Sequence, residues 1–191
     1  MKGEMRQSQR HYPIEEYFAA ELMSPARHEY FDGEIFVMSG GSPNHETIVV
    51  NVTAAFHGAL RESPCRAFGS NMRIRTPSGL YTYPDASIVC GVPDILRVQG
   101  TDTIGNPVVL VEVLSKSTVD YDRGQKFELY QSIPTFRDYV LIDQSHVAVE
   151  HRYRSDGEWL SRTAESLDDR LRLTGVDLEL PVALVYERVT F

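Results

Sequence analysis

The chain has 191 residues, 42% of them apolar and 10% aromatic, which suits a single domain with a real core and excludes a disordered chain. Lys and Arg number 19 against 27 Asp and Glu, a net charge of −8, so a general polyanion-coating role is excluded. The charge is uneven: residues 156–187 carry 8 acidic and 3 basic side chains, whereas residues 61–75 carry four Arg and one Glu, a locally basic strip.

No stretch approaches the roughly 18 apolar residues of a membrane span. Residues 1–11 are polar, lack the apolar core of a secretory signal, and read as a flexible tail ahead of one domain over 12–191. Cys65 and Cys90 fall in no CxxC pair, which argues against zinc and against a disulfide scaffold and for a reducing, cytoplasmic setting.

In chain order, Pro13 leads a short helix through Leu22. Asp32-Gly33 then joins two short strands, Glu29 to Phe31 and Glu34 to Val37, as a hairpin. Ser42 caps, and Pro43 opens, a helix to about Leu60 whose inward stripe is Ile48, Val49, Val52, Phe56 and Ala59, with His45 at its head. Met72 to Thr76 alternates as a strand, with Arg73 and Arg75 on one face. Asp85 to Cys90 is a short apolar run led by a carboxylate, and Val108 to Leu114 is almost wholly apolar, as in a central strand buried on both faces. Asp122 with Gln125 resembles a capping box for a helix ending near Pro134. Strands at Tyr139 to Ile142 and Val147 to Tyr153, a turn at Asp156-Gly157, a strand around Trp159 and a short element over 182–189 complete the chain. Interleaved helices and strands define an α/β (α+β) domain: a mixed β-sheet flanked by helices, with hairpin extensions.

Glu112 stands out because it interrupts the central apolar run. A buried carboxylate costs several kcal/mol, roughly, unless a cation meets it or a proton neutralises it. Asp85 heads the second buried strand. Each alone has an ordinary reading: an ion pair with Arg for Glu112, a turn cap for Asp85. Together they suit a hard, oxygen-seeking ion such as Mg2+ or Mn2+. The chain holds only three lysines, Lys2, Lys116 and Lys126, against 16 arginines, and two of the three follow Glu112 closely. A compact ammonium at these positions could orient water or meet phosphate, or both could be solvated surface charges.

The run Tyr83-Pro84-Asp85-Ala86-Ser87-Ile88-Val89-Cys90, then Val109 to Ser115 around Glu112, then Asp122-Arg123-Gly124-Gln125-Lys126-Phe127-Glu128-Leu129-Tyr130 resembles the Uma-two family of restriction-endonuclease-like proteins, itself similar to the PD-(D/E)XK nuclease superfamily. The likeness reaches upstream to Asp32-Gly33-Glu34 and Ser42-Pro43-x-His45, downstream to residues 139–143, and covers about 12–188. It implies a restriction-endonuclease-like fold and a metal held by Asp85, Glu112 and the Val113 carbonyl. Leu114 stands where the superfamily's simplest pattern has lysine, so the catalytic lysine is expected at Lys126, with His45 beside the site.

The function this suggests is a Mg2+-dependent endonuclease acting on DNA, with Arg73, Arg75, Lys116 and Tyr130 as candidate nucleic-acid contacts. From another class comes a catalytically weak or inactive nuclease-fold binding module. Two hairpins leave sheet edges that a homodimer would cover. The chain carries no phosphate-binding Gly loop, dinucleotide fingerprint or nucleophilic Ser or Cys triad, so no nucleotide cofactor is expected.

Overall fold

The computed structural model describes residues 11–38, 40–98 and 101–191. The tail expected over 1–11 lies, His11 apart, outside the described residues. Helix α1 (Ile14–Met23) is followed by strands β1 (His28–Phe31) and β2 (Glu34–Val37), helix α2 (Pro43–Ala59), and strands β3 (Cys65–Gly69), β4 (Arg73–Arg75), β5 (Tyr81–Thr82) and β6 (Ala86–Cys90). Next come β7 (Ile95–Val98), β8 (Thr101–Ile104), β9 (Val109–Leu114), α3 (Val119–Arg123) and α4 (Gln125–Tyr130). Strands β10 (Asp138–Asp143), β11 (Val149–Ser155), β12 (Glu158–Ala164), β13 (Arg170–Leu173) and β14 (Leu178–Pro181) precede α5 (Val182–Val185).

Two six-stranded sheets form, ordered β2-β1-β5-β4-β8-β7 and β12-β11-β10-β9-β6-β3, with a separate β13-β14 ribbon. Strand β9 is central and buried along its length, parallel to β10 and antiparallel to β6. Its alternating side chains divide the core. Val109, Val111 and Val113 pack with Ile48, Val52 and Phe56 of α2 and with α5, while Leu110 and Leu114 pack with Tyr130, Ile133 and Phe136. Ile74, Leu80 and Ile104 of the first sheet join the second cluster, so Glu112 points to the side where that sheet meets α4.

Local chemistry explains the punctuation. Both residues of the Asp32-Gly33 turn have positive φ (47° and 80°), as does Asp156-Gly157 (51° and 89°), the conformation of tight hairpin turns. Ser42 caps α2 by accepting the His45 backbone N–H, with Pro43 in the first turn.

Three expectations are corrected. A second large sheet accompanies the one expected; its β4, β5, β7 and β8 have only two to four residues each, too short to show a period. Asp122 is not a helix cap: its N–H already bonds the Thr118 carbonyl inside α3, and the chain breaks instead at Gly124, where an added Cβ would lie 2.9 Å from the Asp120 carbonyl oxygen. The cysteines are not lone. Antiparallel pairing of β3 with β6 sets Cys65 opposite Cys90, Cα atoms 3.9 Å apart, and the two form a disulfide. The cysteine argument for a reducing compartment therefore falls. The short element expected over 182–189 is one helical turn, Val182–Val185. Among the described residues no helix is long and apolar enough to cross a membrane.

Candidate active site

Glu112 sits mid-strand in β9, 5% exposed, on the face turned toward α4. Tyr130 Oη donates to its Oε1 at 2.8 Å, and Lys126 Nζ lies 2.9 Å from the same oxygen. Burial pushes the Glu112 carboxyl well above the usual carboxylate range; Lys126 pulls it back, while Asp122 and Asp85 push it further.

Lys126 is 3% exposed. Besides Glu112 it meets Glu29 Oε1 at 3.0 Å and Asp122 Oδ1 at 3.5 Å. Burial works against the ammonium, but Glu112, Glu29 and Asp122 outweigh it and hold its pKa well above the ordinary lysine value, so it stays charged. The break at Gly124 aims it: α4 restarts there, and Lys126, its second residue, turns inward together with Tyr130.

Asp85 immediately precedes β6. The register Ala86↔Val111, continued by one residue, puts Asp85 across from Glu112. Its Oδ2 accepts the Val113 N–H at 2.7 Å and lies 3.4 Å from His45 Nε2. In an extended strand the N–H and C=O of one residue face the same neighbour, so the Val113 carbonyl also looks toward Asp85. Burial disfavours a charged His45, yet Asp85 and, at 3.5 Å, Glu46 overcome it and raise the imidazole pKa above its ordinary value.

Two members of this cluster escaped sequence reasoning. Glu29, on β1, is 8% exposed and accepts from the Thr82 hydroxyl as well as meeting Lys126. Burial alone would raise its pKa, but Lys126 and the hydroxyls of Thr82 and Tyr121 hold it below the usual range. The available signal was alternation, since Glu29 shares a strand face with Phe31. Asp122 was read as a cap. Its own carboxyl is pushed up by burial against the pull of Lys126.

Other candidates lie elsewhere. Arg73 is fully buried inside its sheet, its Nε donating to Thr103 Oγ1 at 2.7 Å and its guanidinium lying over the rings of Phe18 and Tyr17. Arg75 pairs with Asp94 at 2.7 Å. Tyr130 is sealed in the core. Arg73 and Tyr130 are buried and face no solvent, whereas Arg75 stays partly exposed beside Asp94. Lys116 is exposed on the turn after β9 and joins none of these contacts.

The donor set suits a hard divalent cation. Three carboxylates, Glu112, Glu29 and Asp122, meet the Lys126 ammonium, and Asp85 meets the His45 imidazole, so the donors on offer are oxygens. Among the described residues no three His, Cys, Asp or Glu side chains converge as a metal-holding group, so a cation here would rest on two carboxylates with a backbone carbonyl.

A mixed sheet with a carboxylate-and-lysine cluster at its centre is covered by helices and a second sheet, an α+β domain. A solved structure described as a putative nuclease from Anabaena variabilis ATCC 29413 shares this fold, with a TM-score of 0.68 at 18% identity, over 91% of this chain and 99% of that one. The family model Uma2, described as "Putative restriction endonuclease", matches residues 14–183, and the chain belongs to that family. An uncharacterized protein of Synechocystis sp., slr1290, is 37% identical over 179 residues, 93% of this chain and 92% of its own length. A second from the same organism, sll1609, is 32% identical over 147 residues, 76% of this chain and 82% of its own.

Proposed function

We propose that this protein is a divalent-metal-dependent endonuclease that hydrolyses DNA phosphodiester bonds. Asp85, Glu112 and the Val113 carbonyl would hold magnesium or manganese, and Lys126 is the catalytic lysine. One observation carries the reading: a buried carboxylate cluster with a single ammonium 2.9 Å from its central member, Glu112. A bound divalent ion supplies Lewis acidity, which makes water a better nucleophile at neutral pH and offsets charge on phosphate. The protein's own groups divide the remaining work. Tyr130 fixes the rotamer of Glu112, the Val113 N–H fixes Asp85, His45 backs Asp85 from α2, and Lys126 sets a positive charge beside Glu112.

The test is to incubate the protein with supercoiled, linear and single-stranded DNA in magnesium, manganese or chelator. Cleavage that needs a metal and is lost in Glu112→Gln and Lys126→Ala supports the reading. Intact DNA under every condition refutes it. That second outcome favours a nuclease-fold binding module, a reading supported by the occupation of Glu112 Oε1 by two protein donors and by the net charge of −8.

We also propose a homodimer. Strand β2 ends its sheet and exposes Phe36 and Val37, and β12 ends the other sheet and exposes Leu160. Sedimentation showing only a 21.6 kDa species at micromolar protein refutes the dimer.

A further inference from the structure

Glu29 reaches the site from the first sheet, a part of the chain expected to be a mere extension. Its Oε1 takes the Thr82 hydroxyl and stands 3.0 Å from Lys126 Nζ, nearly the distance at which Lys126 meets Glu112. Tyr121 bonds the same carboxyl, and its ring lies under the ammonium, 5.8 Å from Nζ. The Lys126 ammonium is thus shared between two carboxylates on two sheets, and the Glu29 side of the pair is the better anchored. Glu112 has the Tyr130 hydroxyl on the same oxygen that meets Lys126. A lysine bound only to Glu112 would neutralise the carboxylate that a cation must use.

We infer that Glu29 is a positioning residue: it shares the Lys126 ammonium with Glu112, so that the ammonium does not close on Glu112 alone and the Glu112 carboxylate stays available to a divalent cation. The inference rests on the proposed metal role of Asp85 and Glu112. It makes the N-terminal hairpin part of the site. Without Glu29 the ammonium keeps Glu112 at 2.9 Å and Asp122 at 3.5 Å, so Glu112 becomes its nearest partner without a rival at like distance, and an incoming cation must displace it.

The experiment is calorimetric titration of the full chain with manganese in a double-mutant cycle of Glu29→Gln and Lys126→Met. With Lys126 present, Glu29→Gln should weaken manganese binding about tenfold; in the Lys126→Met background it should change affinity less than about twofold. An equal loss in both backgrounds means that Glu29 acts only as a through-space charge, and overturns the inference, as does no loss in either. Thr82→Val keeps every charge and removes the hydroxyl that fixes Glu29; it should weaken binding roughly threefold, and unchanged affinity also overturns the inference, even where Lys126→Met fails to fold. A wild type that binds no manganese refutes the metal reading itself, an outcome distinct from a wild type that binds while Glu29→Gln binds equally well.

Discussion

Replacing Lys126 with Met isolates the charge at the centre of the cluster. Methionine fills much of the lysine volume, so the dominant loss is electrostatic. Three buried carboxylates, Glu112, Glu29 and Asp122, would face one another with no ammonium between them. Breaking a buried ion pair from one side costs about 3–5 kcal/mol. For a chain of this size each kcal/mol moves the melting temperature by roughly 2–4 °C, so a fall of about 6–20 °C is expected. Protonation of Glu112 relieves part of the repulsion, so the deficit should shrink toward acid pH, and a divalent cation should recover part of it at neutral pH. Differential scanning calorimetry of wild type and variant, with and without manganese, reads all of these. A fall of less than about 2 °C would falsify the placement of Lys126 among buried carboxylates.

Lys116→Ala, on the exposed turn after β9, should leave stability within about 0.5 kcal/mol and leave DNA cleavage unchanged; a loss of activity comparable with that of Lys126→Ala would assign the working lysine to the wrong element. Asp138 is buried and accepts from His151 Nε2, the Thr174 N–H and hydroxyl, and the Gly175 N–H. Burial would raise its pKa, but His151 and the two amides hold it below the usual aspartate value. Its contribution is therefore present above the unfolded value and lost as pH falls through the folded one. Asp138→Asn should destabilise at neutral pH by about 2–4 kcal/mol and flatten the acid limb of the stability curve, and urea melts that keep the wild-type slope below about pH 4 would contradict this. Gly175→Ala would bring a methyl group to 2.7 Å from Asp138 Oδ2 and 2.9 Å from Val108 Cγ1, and should cost about 1–3 kcal/mol in the same melts, with an unchanged midpoint arguing that the turn yields freely.

What could be read from the chain was what local periodicity and capping control. The apolar run around Glu112, the Ser42-Pro43 start of α2 and the Asp32-Gly33 turn each carry their cause within a few residues, and each formed where expected. Glu29 and Asp122 escaped because their significance lies in contacts with Lys126 that only the meeting of two sheets and a helix break creates. Arg73 misled for a related reason. Its alternation suggested a surface strand, but two short neighbouring strands and the rings of Tyr17 and Phe18 enclose it. The cysteine pair carries no spacing signal, because only the register of β3 on β6 brings Cys65 and Cys90 together. Gly124 was visible as a glycine, but a glycine alone does not say whether it ends one helix or merely sits in a continuous one.

The cluster is assembled from a hairpin near the start of the chain, a loop before β6, the middle of β9 and a helix beyond it. No local piece holds even two of the carboxylates that surround Lys126 together with the lysine itself, save Asp122 on the adjoining turn. Contacts between such distant segments form late, after most loop-closure entropy has been lost. A chain emerging from synthesis therefore exposes its carboxylates to water separately and gains the cluster only on completing the sheet. Its charged centre is completed only by folding as a whole, since Asp122 alone among its carboxylates is a near neighbour of Lys126 in sequence.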